Sequence, residues 1–188
     1  MPRRTLLLLL RFAAAFGLLA WLAAEIPVYQ WLERPVVAAA GALLHQRAME
    51  SRSLALVQRG EGHWIYVYDL RLGEQRSVVD RPMHAHGFVA LVFASLVLAT
   101  PWPGARRAAL LVGIGAPLVF ALCTLMLMSD VAGWEAETVA ALGVAPPHPG
   151  AYRVPLGFVA GLHRTAAAGL LPVVLWALVA LRPASRRG

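Results

Sequence analysis

The chain alternates between long runs of apolar residues and shorter polar stretches. A helix needs about 20 residues to cross a hydrocarbon core of about 30 Å. Four runs rich in Leu, Ala and Val come close to that length, at residues 5–24, 84–102, 108–128 and 162–181. The pattern therefore predicts an all-α membrane protein, with a bundle of four transmembrane helices.

Shorter patterns occupy the segment 25–83, which separates the first two predicted helices. Residues 35–47 have helical apolar spacing but are too few to cross a membrane, so this helix is expected on the membrane surface or packed on the bundle. Alternating residues then predict a small extracytoplasmic β-hairpin or meander within about 53–79. Its expected strands lie at residues 53–58, 63–71 and 77–79.

An aromatic row belongs to the second of these strands, where Trp64, Tyr66, Tyr68 and Leu70 share one face. Such a row is most often the packed face of a hairpin. A contact with a partner protein or with lipid is the alternative.

The segment 129–161 follows the third predicted helix. Ser129 and Asp130 are typical of a helix cap, and residues 134–142 suit a short separate helix that ends at Gly143. A cytoplasmic turn at 103–107 and a cytoplasmic tail at 182–188 complete the predicted organisation.

The charge pattern changes how the high net charge of +7 is interpreted. Basic residues concentrate at one end of the predicted helices, where cytoplasmic loops retain positive charge. They are Arg3, Arg4, Arg106, Arg107, Arg182, Arg186 and Arg187. All ten acidic residues fall on the opposite side. The pattern predicts a membrane protein with both termini in the cytoplasm, and it argues against nucleic-acid binding.

A cleaved signal peptide is the alternative for the first apolar run, with a cut after Ala24. The run is longer than a typical signal core, and Leu22 is a poor residue three positions before the cut. A retained first helix is therefore expected.

Candidate chemistry is confined to one polar mouth on the outer side. It would combine the six histidines with Asp130, Glu135, Glu137, Arg153 and Arg164. His84, His86 and His163 are the candidate metal ligands, but residues two apart on a helix point in different directions, so His84 and His86 converge only in an extended segment. We therefore expect neither a metal nor a cofactor.

Cys123 and His163 are the candidate catalytic pair. Cys123 lies within an apolar stretch, where a thiol is usually an inert small hydrophobe. We therefore expect no catalytic residue.

The stretch 87–101, GFVALVFASLVLATP, is followed by the Arg106-Arg107 turn after one amino-terminal span and a strand-rich segment. In this layout the chain resembles the exosortase H-associated membrane proteins, a bacterial family encoded beside an exosortase. The resemblance implies an inner-membrane protein that assists a sorting or envelope-export enzyme, without catalytic residues of its own.

These observations favour a non-enzymatic accessory protein that contacts the lipid bilayer and binds a membrane protein partner. The alternative is an intramembrane enzyme, or a metal- or haem-binding protein, with its site at the outer mouth. Homo-oligomers through the small residues of the third helix, Gly113 and Gly115, are compatible with either function.

Overall fold

A computed structural model describes the chain at residues 3–25, 28–45, 51–60, 63–72, 74–82, 87–101 and 105–141, and at 170, 172–174 and 176–177. The elements are α1 (Arg3–Glu25), α2 (Val28–His45), β1 (Ser51–Arg59), β2 (His63–Leu72), β3 (Gln75–Pro82), α3 (Gly87–Ala99) and α4 (Ala105–Ala141). The prediction of a helical protein with one small sheet inserted after its first helices is thereby confirmed.

Within the described residues, two helices are long and apolar enough to cross a membrane, over Thr5–Ala23 in α1 and Val112–Ala141 in α4. Their outward faces carry large apolar side chains that are exposed, which soluble proteins rarely show over such an area. In α1 these are Leu6, Leu7, Leu9, Leu10, Leu18 and Trp21, and in α4 Val112, Ile114, Leu118, Phe120 and Leu125. The two helices indicate a membrane protein.

The bundle of four complete spans is not confirmed. Helix α3 is apolar but only 13 residues long, or about 20 Å, which is less than the hydrocarbon thickness. The predicted fourth helix lies mostly outside the described residues, although 172–174 and 176–177 are helical. Trp176 Nε1 donates a hydrogen bond of 2.7 Å to Thr100 Oγ1, just after α3.

Helix α4 corrects the prediction of a span that stops at 128 and a separate short helix after it. It runs for 37 residues without interruption and contains both Ser129 and Asp130. No proline follows Pro117 within it, and the Thr138 hydroxyl donates a hydrogen bond of 2.8 Å to the Trp134 carbonyl of the same helix. Burial of Val131 against the rest of the core extends the helix.

Helix α2 begins at Val28, seven residues before the predicted start at Pro35, which lies inside the helix. A proline in a helix interior removes one backbone hydrogen bond. Val36, Val37 and Ala40 follow it and are buried in the shared core, and this packing offsets the loss. Helix α2 therefore packs on the sheet and on α4, and residues 46–47 of the prediction lie outside the described residues.

The sheet is an antiparallel meander in the order β1-β2-β3. Gly60 occupies the β1–β2 turn with a φ of 70°, a conformation that favours glycine. On β2 the alternation puts Tyr66, Tyr68 and Leu70 on one face, and all three are fully buried. The aromatic row is thus the packed face of the sheet, as the sequence predicts.

Helices α3 and α4 approach closely where the Phe93 ring lies against Gly115. A Cβ atom placed on Gly115 would come within 2.2 Å of Phe93 Cζ, whereas one on Gly113 would meet nothing within 4 Å. Small residues permit this kind of close approach between apolar helices.

We expect Gly115→Ala to destabilise the protein, because the Phe93 ring must move, at a cost of about 1–3 kcal/mol for overpacking. Gly113→Ala is the matched control and should be neutral or stabilising through helix propensity, by up to about 1 kcal/mol. Thermal unfolding in mild detergent measures both. An equal or higher Tm for Gly115→Ala than for Gly113→Ala would contradict the close contact.

Candidate functional site

A polar network joins α2, the sheet and α4. Tyr66 Oη donates a hydrogen bond of 3.0 Å to Glu33 Oε2 of α2, and Tyr68 Oη donates one of 3.0 Å to Glu135 Oε2 of α4. Because Tyr66 and Tyr68 are two residues apart on β2, they point to the same face and reach two different helices. The network therefore attaches one strand to both helices.

Glu135 also binds the guanidinium of Arg52, whose Nη2 lies 2.8 Å from Glu135 Oε1. Arg52 lies opposite Leu70 in the sheet and so belongs to the buried face. The Arg52 side chain is only 6% exposed and that of Glu135 is 22% exposed. Any packing that separates the two side chains leaves a buried charge without this ion pair, which is costly. The contact therefore favours the observed packing of the sheet.

Burial and the negative charge of Glu33 raise the pKa of Tyr66 far above its usual value. The phenol therefore remains protonated and keeps donating to the Glu33 carboxylate. Its ring packs against Trp134 of α4, with ring centroids 6.0 Å apart. Tyr66 thus combines an apolar contact to α4 with a polar contact to α2.

A cavity of about 420 Å³ lies between α2, α3 and α4. Its walls come from the facing sides of α3 and α4, from Ala90 to Leu98 and from Val112 to Cys123. Glu33 lines the end nearest the sheet. Among the described residues of the lining it is the single carboxylate, and the others are apolar apart from the Cys123 thiol.

Of the predicted site residues, Cys123 is described, and it is buried in the wall of this cavity. His84, His86 and His163 lie outside the described residues, as do His148, Arg153 and Arg164. His45 ends α2 and His63 begins β2. The described residues therefore do not test the pairing of Cys123 with His163 or metal binding by the three histidines, which belong to the alternative function.

Two of the three acidic residues expected at the polar mouth bind the sheet. Glu135 binds Arg52, and Glu137 Oε2 lies 2.7 Å from Arg81 Nη2. Within the described ranges, no group of three or more His, Cys, Asp or Glu residues could hold a metal ion. These carboxylates attach α4 to the sheet.

Sequence reasoning missed the roles of Glu33, Arg52 and the two tyrosine hydroxyls. Glu33 is a charged residue in a largely apolar helix, and Arg52 stands at an alternating position of a strand. Those positions could have marked both as buried, but the partner of each comes from another element of the fold.

Comparison of the chain with protein-family models, with curated proteins and with solved structures finds no match. The function is therefore inferred from the network, the cavity and the exposed surfaces.

We expect Glu135→Gln to loosen the sheet from α4, because the buried charge of Arg52 then loses the Glu135 carboxylate that binds it. Breaking a buried pair costs about 3–5 kcal/mol, and the partial exposure of Glu135 favours the lower end. Glu137→Gln is the matched control two residues along the same helix, where an exposed pair contributes about 0–1 kcal/mol. Unfolding in mild detergent compares them, and equal losses of stability would contradict a special role for Glu135.

Tyr66→Phe should change how stability depends on alkaline pH. The folded pKa of Tyr66 is raised above its usual value of 10.0 by burial and by Glu33, so its contribution is fully present well below pH 10 and is lost as pH rises through 10 toward the folded pKa. Wild-type stability should therefore fall more steeply between pH 9 and about 11 than that of Tyr66→Phe. Parallel pH profiles would exclude Tyr66 as the group responsible.

At pH 7 the free energy of unfolding of Tyr66→Phe should be lower by about 1–3 kcal/mol, because Glu33 loses a buried hydrogen-bond donor.

Proposed function

We propose that this protein is a non-enzymatic accessory protein of the bacterial inner membrane, which presents its sheet to a membrane protein partner. The observation that carries the proposal is the attachment of the sheet to two helices through Glu33 and Glu135. These carboxylates hold the sheet in one position relative to the apolar helices. A sheet fixed in this way is suited to presenting a surface at a constant height above a membrane.

The proposed topology has four spans and both termini in the cytoplasm. Arg3 and Arg4 begin α1, and Arg106 and Arg107 lie in the first turn of α4, which fits the positive charge of cytoplasmic segments. The 37 residues of α4 give a length of about 55 Å, so the helix extends about 25 Å beyond a hydrocarbon core of about 30 Å. Glu135 lies in that extension and supports the sheet outside the membrane.

The proposed docking surface is the outer face of the sheet, opposite Tyr66 and Tyr68. We define this outer sheet face by its apolar side chains, Val57, Ile65, Val67 and Val78. Val57 is 42% exposed and Val78 is 50% exposed. An exposed apolar group of this kind on a sheet outside the membrane is typical of a protein-binding surface.

The outer sheet face also carries charged side chains, and these are paired within the sheet. Arg59 Nη1 lies 3.0 Å from Asp80 Oδ2, and Arg76 Nη2 lies 2.7 Å from Asp69 Oδ2. The hydrogen bond from Arg76 holds the pKa of Asp69 below its usual value, so this pair stays charged at neutral pH. A partner would therefore meet apolar side chains interspersed with charged pairs that neutralise each other. The family resemblance implies that this partner is an exosortase-type enzyme.

We expect the variant Val57→Glu/Val78→Glu to lose the partner, because two carboxylates would have to be buried in the interface. The measurement is a pull-down of tagged protein from its own cells under gentle solubilisation, with mass spectrometry of the bound proteins. Gln75→Glu is the control, since it adds a charge to an exposed position of β3 on the other face of the sheet.

Retention of the partner by Val57→Glu/Val78→Glu would exclude the outer sheet face. A wild-type protein that brings down no membrane protein would overturn the accessory function as a whole.

A further inference from the structure

We propose that the cavity between α2, α3 and α4 binds one acyl chain of a phosphatidylethanolamine, with the ammonium of its headgroup toward Glu33. This inference rests on the proposed membrane location, but it does not require a protein partner. It assigns a ligand to a space that the accessory function leaves unused.

The shape of the cavity is that of a slot along two helices. Its wall runs from Ala90 to Leu98 on α3 and from Val112 to Cys123 on α4. At 1.5 Å per residue these stretches are about 12 and 16 Å long. The slot is therefore elongated and runs along the helices, as an extended hydrocarbon chain does in a bilayer.

The slot is continuous with the apolar surface of the helices. Leu98, Val112 and Phe120 line it, and each is also exposed, Leu98 to 65%. An apolar cavity of this kind does not hold water, because water needs polar partners there. In a bilayer, the apolar material next to these side chains is lipid.

The volume of the slot fits a lipid acyl chain better than a whole helix. About 420 Å³ falls within the range of small-ligand pockets, roughly 300–1,000 Å³. A partner helix about 10 Å wide and of the same length would need at least roughly twice that volume. A second copy of this chain or a partner span could therefore place only part of its width in the slot.

The negative charge of Glu33 determines which lipid headgroup is favoured. Glu33 is 1% exposed and lines the end of the slot nearest the sheet. Its carboxylate attracts an ammonium group and disfavours an anionic headgroup without a cation, such as that of phosphatidylglycerol. Burial makes this discrimination stronger than it would be in water.

The test uses the purified full chain in vesicles of phosphatidylethanolamine and phosphatidylglycerol, with a trace of phosphatidylethanolamine that carries a diazirine near the end of one acyl chain. After illumination, mass spectrometry should find label concentrated in residues 90–98 and 112–123. Label in residues 6–10 of α1, whose Leu side chains are also exposed, gives the level for ordinary lipid contact.

Ala116→Phe tests the site of the acyl chain, with Ala121→Phe as its control, and Glu33→Gln tests the site of the headgroup. Ala116→Phe fills the slot and should remove the excess label, whereas Ala121→Phe, an exposed position of α4 outside the lining, should keep it. Glu33→Gln keeps an acceptor for Tyr66 and should retain the label. It should lower the preference for phosphatidylethanolamine over phosphatidylglycerol by about tenfold, as the loss of one hydrogen bond to a charged group predicts.

Equal labelling of the slot and of α1 would overturn the proposal, and so would unchanged labelling in Ala116→Phe. An unchanged lipid preference in Glu33→Gln would overturn the assignment of the headgroup. Because only lipid and purified protein are present, these results are independent of whether a partner binds the outer sheet face. Absence of label from every helix would instead overturn the membrane location.

Discussion

The contact on which the rest of the structure depends is the carboxylate of Glu135, which binds Arg52 and Tyr68 at the far end of α4. It holds the sheet against a helix whose other end begins with the Arg106-Arg107 pair. Because the Arg52 charge is buried, few other packings of the sheet would satisfy it. The second attachment, from Tyr66 to Glu33, fixes the sheet to α2 as well. With both in place, the sheet and the helices share one core.

That shared core explains why the sheet is not a separate domain. Val36 of α2, Tyr66 of β2, Phe93 of α3 and Val131 of α4 belong to one cluster of buried side chains. A three-stranded sheet of this size is marginal without a helix packed on its apolar face. Here α2 and the outer half of α4 supply that cover. The same elements leave the opposite face of the sheet exposed. The outward faces of α1 and α4 are apolar, which suits the lipid surroundings proposed for them.

Two surfaces of different character therefore lie close together. The outer sheet face is the proposed binding surface for a protein, and the slot between α3 and α4 is the proposed site for a lipid chain. Glu33 belongs to both systems, since it lines the slot and accepts the hydrogen bond from Tyr66. A ligand in the slot would act on the same carboxylate that positions the sheet. The polar network thus links the membrane side of the protein to its proposed binding face.

The sequence by itself determined the local elements, because their signals are carried by neighbouring residues. Apolar run length indicated the long helices, and period-two alternation indicated the strands and the buried row from Tyr66 to Leu70. Only the tertiary structure decided that Ser129 and Asp130 lie inside one long helix, and that Pro35 lies inside another. Packing of distant residues outweighed the local stop signals there. It also decided the ion pair of Arg52 with Glu135, since those residues lie 83 positions apart and no local pattern records which charges will meet.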